Sequence, residues 1–344
     1  MKNVMIGHFA LNTDLFIGQT IKTKNIYNEL IKDLKFKKTK IIDTHKWNDK
    51  KILLLSSIIF MILKSKNIIL VISQEAMESI FFLVKWFRIF KNKRFHYVVV
   101  GGDLPQKLYL DNSKIKLYST LYQIYVETET MKTDLNNLGL NNTSVLYNFK
   151  ELVPVNIDSQ KFNNIPPYKL CTFSRVVEGK GIKEAIESIV KVNEKFSKDL
   201  FQLDIYGQID FEYQNEFESI IHKCPQSIKY MGIVKPENSI DTIKNYFALL
   251  FPTKFFYEGF PGTILDAFFA GVPVISSRWN TYKDLIVENI TGRTFEFNNF
   301  LRLEEILIEV ANNPAKFTEM KLNCLKETEK YLPGNAIKTL VNRL

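Results

Sequence analysis

Cysteine is scarce in this chain. Cys171, Cys224 and Cys324 are the only three in 344 residues, odd in number and widely spaced. That excludes a disulfide framework and a cysteine-rich zinc site, and it suits a reducing compartment. With 14 glycines and 11 prolines the chain has too little of either for a long flexible linker or a collagen-like repeat. Long apolar runs are missing too. The longest, 52–63 and 80–84 with its aromatic extension to 90, fall short of the ~20 residues that span a bilayer. The four histidines (His8, His45, His96, His222) lack metal-ligand spacing, and neither a Gly-x-Ser-x-Gly nucleophile turn nor a nucleic-acid motif is present.

What remains is ordinary globular composition, 46% hydrophobic and 24% charged, and a length that predicts two domains. The net charge of +9 is unevenly spread. Residues 1–150 hold 23 Lys+Arg against 12 Asp+Glu, or +11; residues 151–344 hold 23 against 25, or −2. A basic first half points to an anionic partner such as a membrane surface, nucleic acid or a phosphate-bearing substrate.

Short β-rich runs alternate with helical patterns along the whole chain. Strands are predicted at 3–8, 40–43, 68–73, 96–100, 124–127 and 144–147, with helices at 20–34, 51–64, 75–90, 114–122 and 131–138 between them. The second half repeats the rhythm, with strands at 170–174, 202–206, 228–231, 248–252, 274–276 and 293–295. Its helix at 182–192 places Ile182, Ala185, Ile186, Ile189 and Val190 on one face. The pattern predicts two doubly wound, Rossmann-like α/β domains facing across a cleft, at 1–155 and 165–325, and a C-terminal helix in 326–344 is expected to cross back to the first domain. Residues 1–10 read as a first strand and not as a signal peptide. Ligands of such sheets sit beyond the carboxyl ends of strands, so the loops there hold the candidate residues.

Two segments stand out. Glu258-Gly-Phe-Pro-Gly-Thr-Ile-Leu-Asp266 follows a strand and opens a helix expected at 263–270. Gly259, Pro261 and Gly262 form a turn where backbone can approach a ligand, and the helix start offers N–H groups to an anion. Glu258 in the loop and Asp266, expected in the first helical turn, can each accept hydrogen bonds from a diol. Earlier, Arg175-Val-Val-Glu-Gly-Lys180-Gly181 follows the first strand of the second domain. Two cations beside a helix start suit a diphosphate. The segment is neither a Walker loop nor Gly-x-Gly-x-x-Gly. Taken singly, the first also reads as a plain helix start and the second as a solvated basic turn.

Together, in this order and about 80 residues apart, they resemble the donor site of the retaining family-4 glycosyltransferases of the GT-B fold. That family pairs Arg-x4-Lys with Glu-x7-Glu; here the pairs are Arg175 with Lys180 and Glu258 with Asp266, the second acid one methylene shorter. The resemblance implies that Arg175 and Lys180 hold the donor diphosphate, Glu258 meets sugar hydroxyls, the backbone N–H groups of Phe260, Gly262 and Thr263 touch the sugar and phosphate, Asp266 binds ribose, and Gly207, Ile233 and Val234 lie near the base. It also implies transfer with retention, no metal and no other cofactor, and a UDP-sugar or GDP-sugar as donor. Consistently, the Asp-x-Asp of the GT-A glycosyltransferases is absent. In the first half Gly18 matches a phosphate-approaching glycine, with Gln19 where a second glycine is usual. The family's loop histidine is missing after Val98-Val99-Val100, which leaves Asp103 as the polar candidate for catalysis or for helix capping.

The setting implied is bacterial capsule, O-antigen or exopolysaccharide synthesis, with a glycan or lipid-diphosphate-linked acceptor and no nucleic acid. Lys85, Arg88, Lys91, Lys93 and Arg94, interleaved with Trp86, Phe87 and Phe90, read as an anionic-membrane contact or as a helix with a basic solvated end. The location expected is cytoplasmic, peripheral at the inner face of the plasma membrane. Two other readings stand beside this one: an inactive GT-B-like scaffold or partner subunit, and an NAD-dependent oxidoreductase lacking its dinucleotide fingerprint.

Overall fold

The computed structural model describes residues 2–344 apart from 14–16, 46, 48, 50, 88–91 and 157–164. The chain divides into two compact units, Met1–Glu151 with Tyr331–Leu344, and Leu152–Lys330.

The first unit is built on strands β1 (Asn3–Gly7), β2 (Lys40–Asp43), β3 (Asn67–Val71), β4 (Arg94–Val98), β5 (Gln123–Val126) and β6 (Thr143–Val145). They pair in the order β2-β1-β3-β4-β5-β6, all parallel. Strands β1, β3 and β5 are buried along their whole length, because helices cover both sheet faces. On one face the helices Lys51–Lys64 and Gln74–Phe87 pack Ile58, Ile62, Met77 and Ile80 against Val4, Ile6, Ile68 and Leu70. On the other, helix Gly18–Lys32 brings Ile26 and Leu30 to Met5, Ile69 and Val71, and the C-terminal Ala336, Ile337 and Leu340 join them.

The second unit holds β7 (Tyr168–Phe173), β8 (Phe201–Tyr206), β9 (Ile228–Gly232), β10 (Ala248–Phe251), β11 (Val274–Ser277) and β12 (Gly292–Phe295). Their order is β12-β11-β10-β7-β8-β9, again all parallel. Helix Ile182–Lys195 buries the face anticipated from its spacing, including Ile182, Ala185, Ile186 and Ile189. The fold is therefore two doubly wound α/β domains.

Several helices differ from their predicted extents. The C-terminal helix expected in 326–344 is broken into the short helices Pro333–Ala336 and Lys338–Val341, because Pro333 lacks the N–H that would continue a helix from upstream. Only Ile115–Tyr118 of 114–122 is α-helical. Tyr122 N–H donates to Phe95 O, which draws the chain out of the helix and into the sheet. The helix predicted at 75–90 runs Gln74–Phe87, and 88–90 lie outside the described residues. Among the described residues no helix is long and apolar enough to cross a membrane.

Candidate active site

Strand order in the second sheet reverses at β7, which has β8 on one side and β10 on the other. The carboxyl ends of β7 and β10 flank the crevice that such a reversal opens, the usual ligand position of a doubly wound sheet. Both motif segments start there, one after Phe173 and the other after Phe251.

The two loops are laced together by backbone. Lys254 N–H donates to Gly179 O at 2.8 Å. Gly181 sits at φ +67°, where a Cβ would come within 2.0 Å of Pro252 O, so glycine alone permits this approach. The lacing puts Lys180 Nζ 2.6 Å from Glu258 Oε2, with both side chains largely buried. Thr253 Oγ1 donates to the same carboxylate oxygen at 3.1 Å, and the Lys180 ammonium lies 5.4 Å and 5.3 Å from the Phe251 and Phe255 ring centroids. A charge pair walled by aromatic rings is weakly screened, so it acts strongly on any third charge that enters.

Residues that local sequence did not single out hold the Glu258 loop. Trp279 Nε1–H donates to Thr281 Oγ1 at 2.8 Å, and Thr281 Oγ1 donates to Gly259 O at 3.2 Å. Ser277 Oγ donates to Thr253 O at 2.6 Å. These lie on or just after β11, and only proximity in the fold links them to Glu258.

The other candidates take varied positions. Arg175 is mostly exposed, its nearest carboxylate Asp210 at 3.7 Å. Gly207 N–H donates to Gly232 O, and Tyr230 Oη donates to Gly207 O at 2.8 Å. A Cβ on Gly207 would stand 1.7 Å from Ser174 O, so this turn lies directly against the segment that carries Arg175. Beyond it Ile233 is exposed and Val234 half-buried. The motif helix runs Gly262–Phe269 with Pro261 at its N-cap. Phe260 and Pro261 are buried; Gly259, Gly262 and Thr263 are half-buried. Thr263 Oγ1 is shielded from solvent and has no hydrogen-bond partner among the described residues.

Asp266 is not in the first helical turn, as expected from the sequence, but is the fifth helical residue. The helix begins one residue early because Gly262 follows the N-capping proline directly. Asp266 is 2% exposed and accepts a hydrogen bond from Ser239 Oγ at 3.0 Å.

In the first unit Gly18 opens its helix, exposed and with open space where a Cβ would be. Asp103 occupies an N-cap position without capping; its carboxylate pairs with Lys107 at 2.8 Å. The switch point of this sheet, at β1, holds groups that no motif announced. Lys22 Nζ is buried, donating to Glu127 Oε1 at 2.6 Å and Val99 O at 2.7 Å. His8 Nδ1 lies 2.7 Å from Thr20 Oγ1, and its Nε2 lies 3.1 Å from His45 Nδ1. Burial and the neighbouring His45 push the His8 pKa down, against the pull of Asp43. Burial raises the Asp43 pKa, but backbone N–H donors from Leu11, His45, Phe9 and Ala10 outweigh it and hold the carboxylate below its usual range.

Two parallel doubly wound domains, with a cation–carboxylate pair at the switch point of the second, define a two-domain α/β protein with a ligand crevice at its strand ends. Residues 156–330, just over half of the chain, match the family model "Glycosyl transferases group 1", and the protein belongs to that family. No curated protein matches its sequence. Among solved structures it resembles Anabaena HepE in complex with UDP, at a TM-score of 0.77 and 11% identity over 99% of each chain. It also resembles the lipopolysaccharide outer core galactosyltransferase WaaB, at 0.66 and 16% over 100% of this chain and 99% of that one. The pneumococcal O-GlcNAc transferase GtfA with UDP and GlcNAc aligns at 0.65 and 13%, over 85% of this chain and 59% of GtfA. The fold they share is GT-B, and this chain is a GT-B glycosyltransferase.

Proposed function

We propose that this glycosyltransferase moves a sugar from a UDP-sugar to a hydroxyl of a glycan or lipid-diphosphate-linked acceptor. The anomeric configuration is retained, no metal or other cofactor takes part, and the setting is bacterial capsule, O-antigen or exopolysaccharide synthesis at the cytoplasmic side. The observation that carries the reading is the 2.6 Å Lys180–Glu258 pair at the β7/β10 switch point. A cation able to bind diphosphate there stands beside a carboxylate able to accept hydrogen bonds from sugar hydroxyls, which is what a nucleotide-sugar needs at its phosphate–sugar junction. UDP is preferred to GDP because the HepE and GtfA structures hold UDP, and another HepE structure holds UDP-glucose.

In this reading the exposed Arg175 captures the diphosphate and Lys180 turns from Glu258 to its oxygens. Negative charge grows on the departing phosphate as the glycosidic bond breaks, and the two cations stabilise it there. The start of helix Gly262–Phe269 and the partnerless Thr263 hydroxyl lie beside the same loop and add donors. Glu258, released from Lys180, accepts hydrogen bonds from the sugar, while the Gly259–Thr263 turn lets backbone approach it. Ribose takes the place of the Ser239 hydroxyl on Asp266, and the base lies along Gly207, Ile233 and Val234. Gly18 and Asp103 belong to the first unit, the one as its phosphate-approaching glycine and the other as its candidate catalytic carboxylate. Retention is proposed from the pairing of the Arg-x4-Lys and Glu-x7-acid motifs.

Thermal stabilisation by UDP, GDP and NAD tests the assignment. UDP at ~100 times its dissociation constant should add about 2.7 kcal/mol to wild type and little to Arg175→Ala. Transfer from UDP-glucose, UDP-galactose or UDP-GlcNAc should persist in EDTA. Stabilisation by NAD alone, or by no nucleotide, overturns the reading.

A further inference from the structure

The two glycines that flank Lys180 are both filled by the loop that carries Glu258. Pro252 O occupies the space beside Gly181. The Phe255 ring occupies the space beside Gly179, where a Cβ would stand 2.3 Å from its Cζ. Gly179 is not in the left-handed region, so the ring alone calls for glycine there. Phe255 is thus seated on the backbone of the residue before Lys180.

The same ring reaches the ammonium, with Lys180 Nζ 5.3 Å from its centroid; Phe251 is the other ring there, at 5.4 Å. The two differ in exposure. Phe251 is buried at the end of β10, whereas Phe255 is 42% exposed and forms the wall that meets solvent. The Phe255 backbone serves the site as well. Its N–H donates at 3.2 Å to Thr253 Oγ1, the hydroxyl that donates to Glu258, and its carbonyl accepts from Glu258 N–H at 3.3 Å.

A ring and a carboxylate hold an ammonium differently. Glu258 occupies a hydrogen bond that phosphate needs. A ring attracts the cation through its quadrupole and takes none of those bonds. Phe255 can therefore keep hold of Lys180 on Glu258 and on a phosphate alike. Because that attraction is similar in both states, it changes nucleotide affinity little. Its weight falls on the transition state. Negative charge grows there on the departing phosphate, and an ammonium kept from water stabilises it more than a hydrated one.

We propose that Phe255 is a positioning residue for Lys180, holding the ammonium against its ring and away from water as it passes from Glu258 to the donor diphosphate. The proposal rests on the donor reading above and adds a residue that neither the Arg-x4-Lys nor the Glu-x7-acid pair contains.

Steady-state transfer by the full chain from UDP-glucose, UDP-galactose or UDP-GlcNAc tests it. Phe255→Ala should lower kcat about tenfold, move the donor KM by less than about twofold and leave the Tm unchanged. Phe255→Tyr, which keeps the ring, should restore kcat. Raised salt should lower kcat more in Phe255→Ala than in wild type, because screening ions then reach the ammonium. In a Lys180→Gln background Phe255→Ala should cost less than about twofold, since the effect passes through the ammonium. A ring that only shapes the loop would cost the same in both backgrounds and add no salt dependence, and that result overturns the proposal. So does an unchanged kcat, or a loss confined to KM. Failure of wild type to transfer from any of the three sugars, or full activity of Lys180→Gln, overturns the donor reading, and this role with it.

Discussion

At the residue scale, the Lys180–Glu258 pair makes opposite demands on binding and turnover. The same ammonium that closes on Glu258 is needed by phosphate, so the carboxylate competes with the nucleotide for it. Glu258→Gln should therefore tighten UDP, by about 1 kcal/mol or fivefold in titration calorimetry. It should at the same time lower sugar transfer by about 10²-fold, because the sugar loses a charged acceptor. Equal loss of both would mean that Glu258 serves only to shape the loop. His96 supplies a second residue-scale expectation. It is buried in β4 with Nδ1 3.0 Å from Tyr125 Oη, and burial lowers its pKa to about 3 from 6.5. Below pH 6.5 the unfolded chain protonates this ring, while the folded protein holds it neutral down to about 3. Its contribution is present above pH 6.5 and is lost as pH falls toward 3, by about 1.4 kcal/mol per pH unit. Denaturant unfolding from pH 7 to pH 4 should show that slope, and His96→Phe should flatten it.

At the element scale, the strands were readable because buried parallel strands are continuous apolar runs, and all twelve lie within a few residues of the predicted positions. Helix ends were less readable. The chain leaves the helix after Tyr118 for a hydrogen bond to Phe95 O, a partner 27 residues away that no local pattern announces. The buried Lys22–Glu127 pair belongs to the same scale, since it ties helix Gly18–Lys32 to the carboxyl ends of β4 and β5. Lys22→Met should cost about 3–5 kcal/mol, because Glu127 loses its ammonium inside the protein. Lys22→Met with Glu127→Leu should recover most of it. Chemical denaturation of the two variants distinguishes a paired charge from a lysine that merely fills space.

At the scale of the whole molecule, the last fourteen residues belong to the unit that the first 151 build. Leu340 is fully buried there beside Met5, Ile26 and Val71, and Asn67 donates to the carbonyl of Leu344. Leu340→Ala should destabilise the first unit by about 2–5 kcal/mol and leave the second nearly untouched. Thermal unfolding followed in the presence of UDP separates the two, since the nucleotide should protect only the unit that binds it.

What the sequence determined by itself is the part of the protein with a period or a spacing. Alternation of apolar runs specified two doubly wound domains, and Arg175, Lys180, Glu258 and Asp266 stood out because motifs are local. Tertiary structure decided how those groups stand to one another. It brought Lys180 onto Glu258 across 78 residues, turned Asp266 inward to Ser239, and set Thr281, Trp279 and Ser277 behind the Glu258 loop. Side-chain contacts of this kind depend on which strand ends adjoin at a switch point, and strand order is a property of the folded sheet, not of any segment.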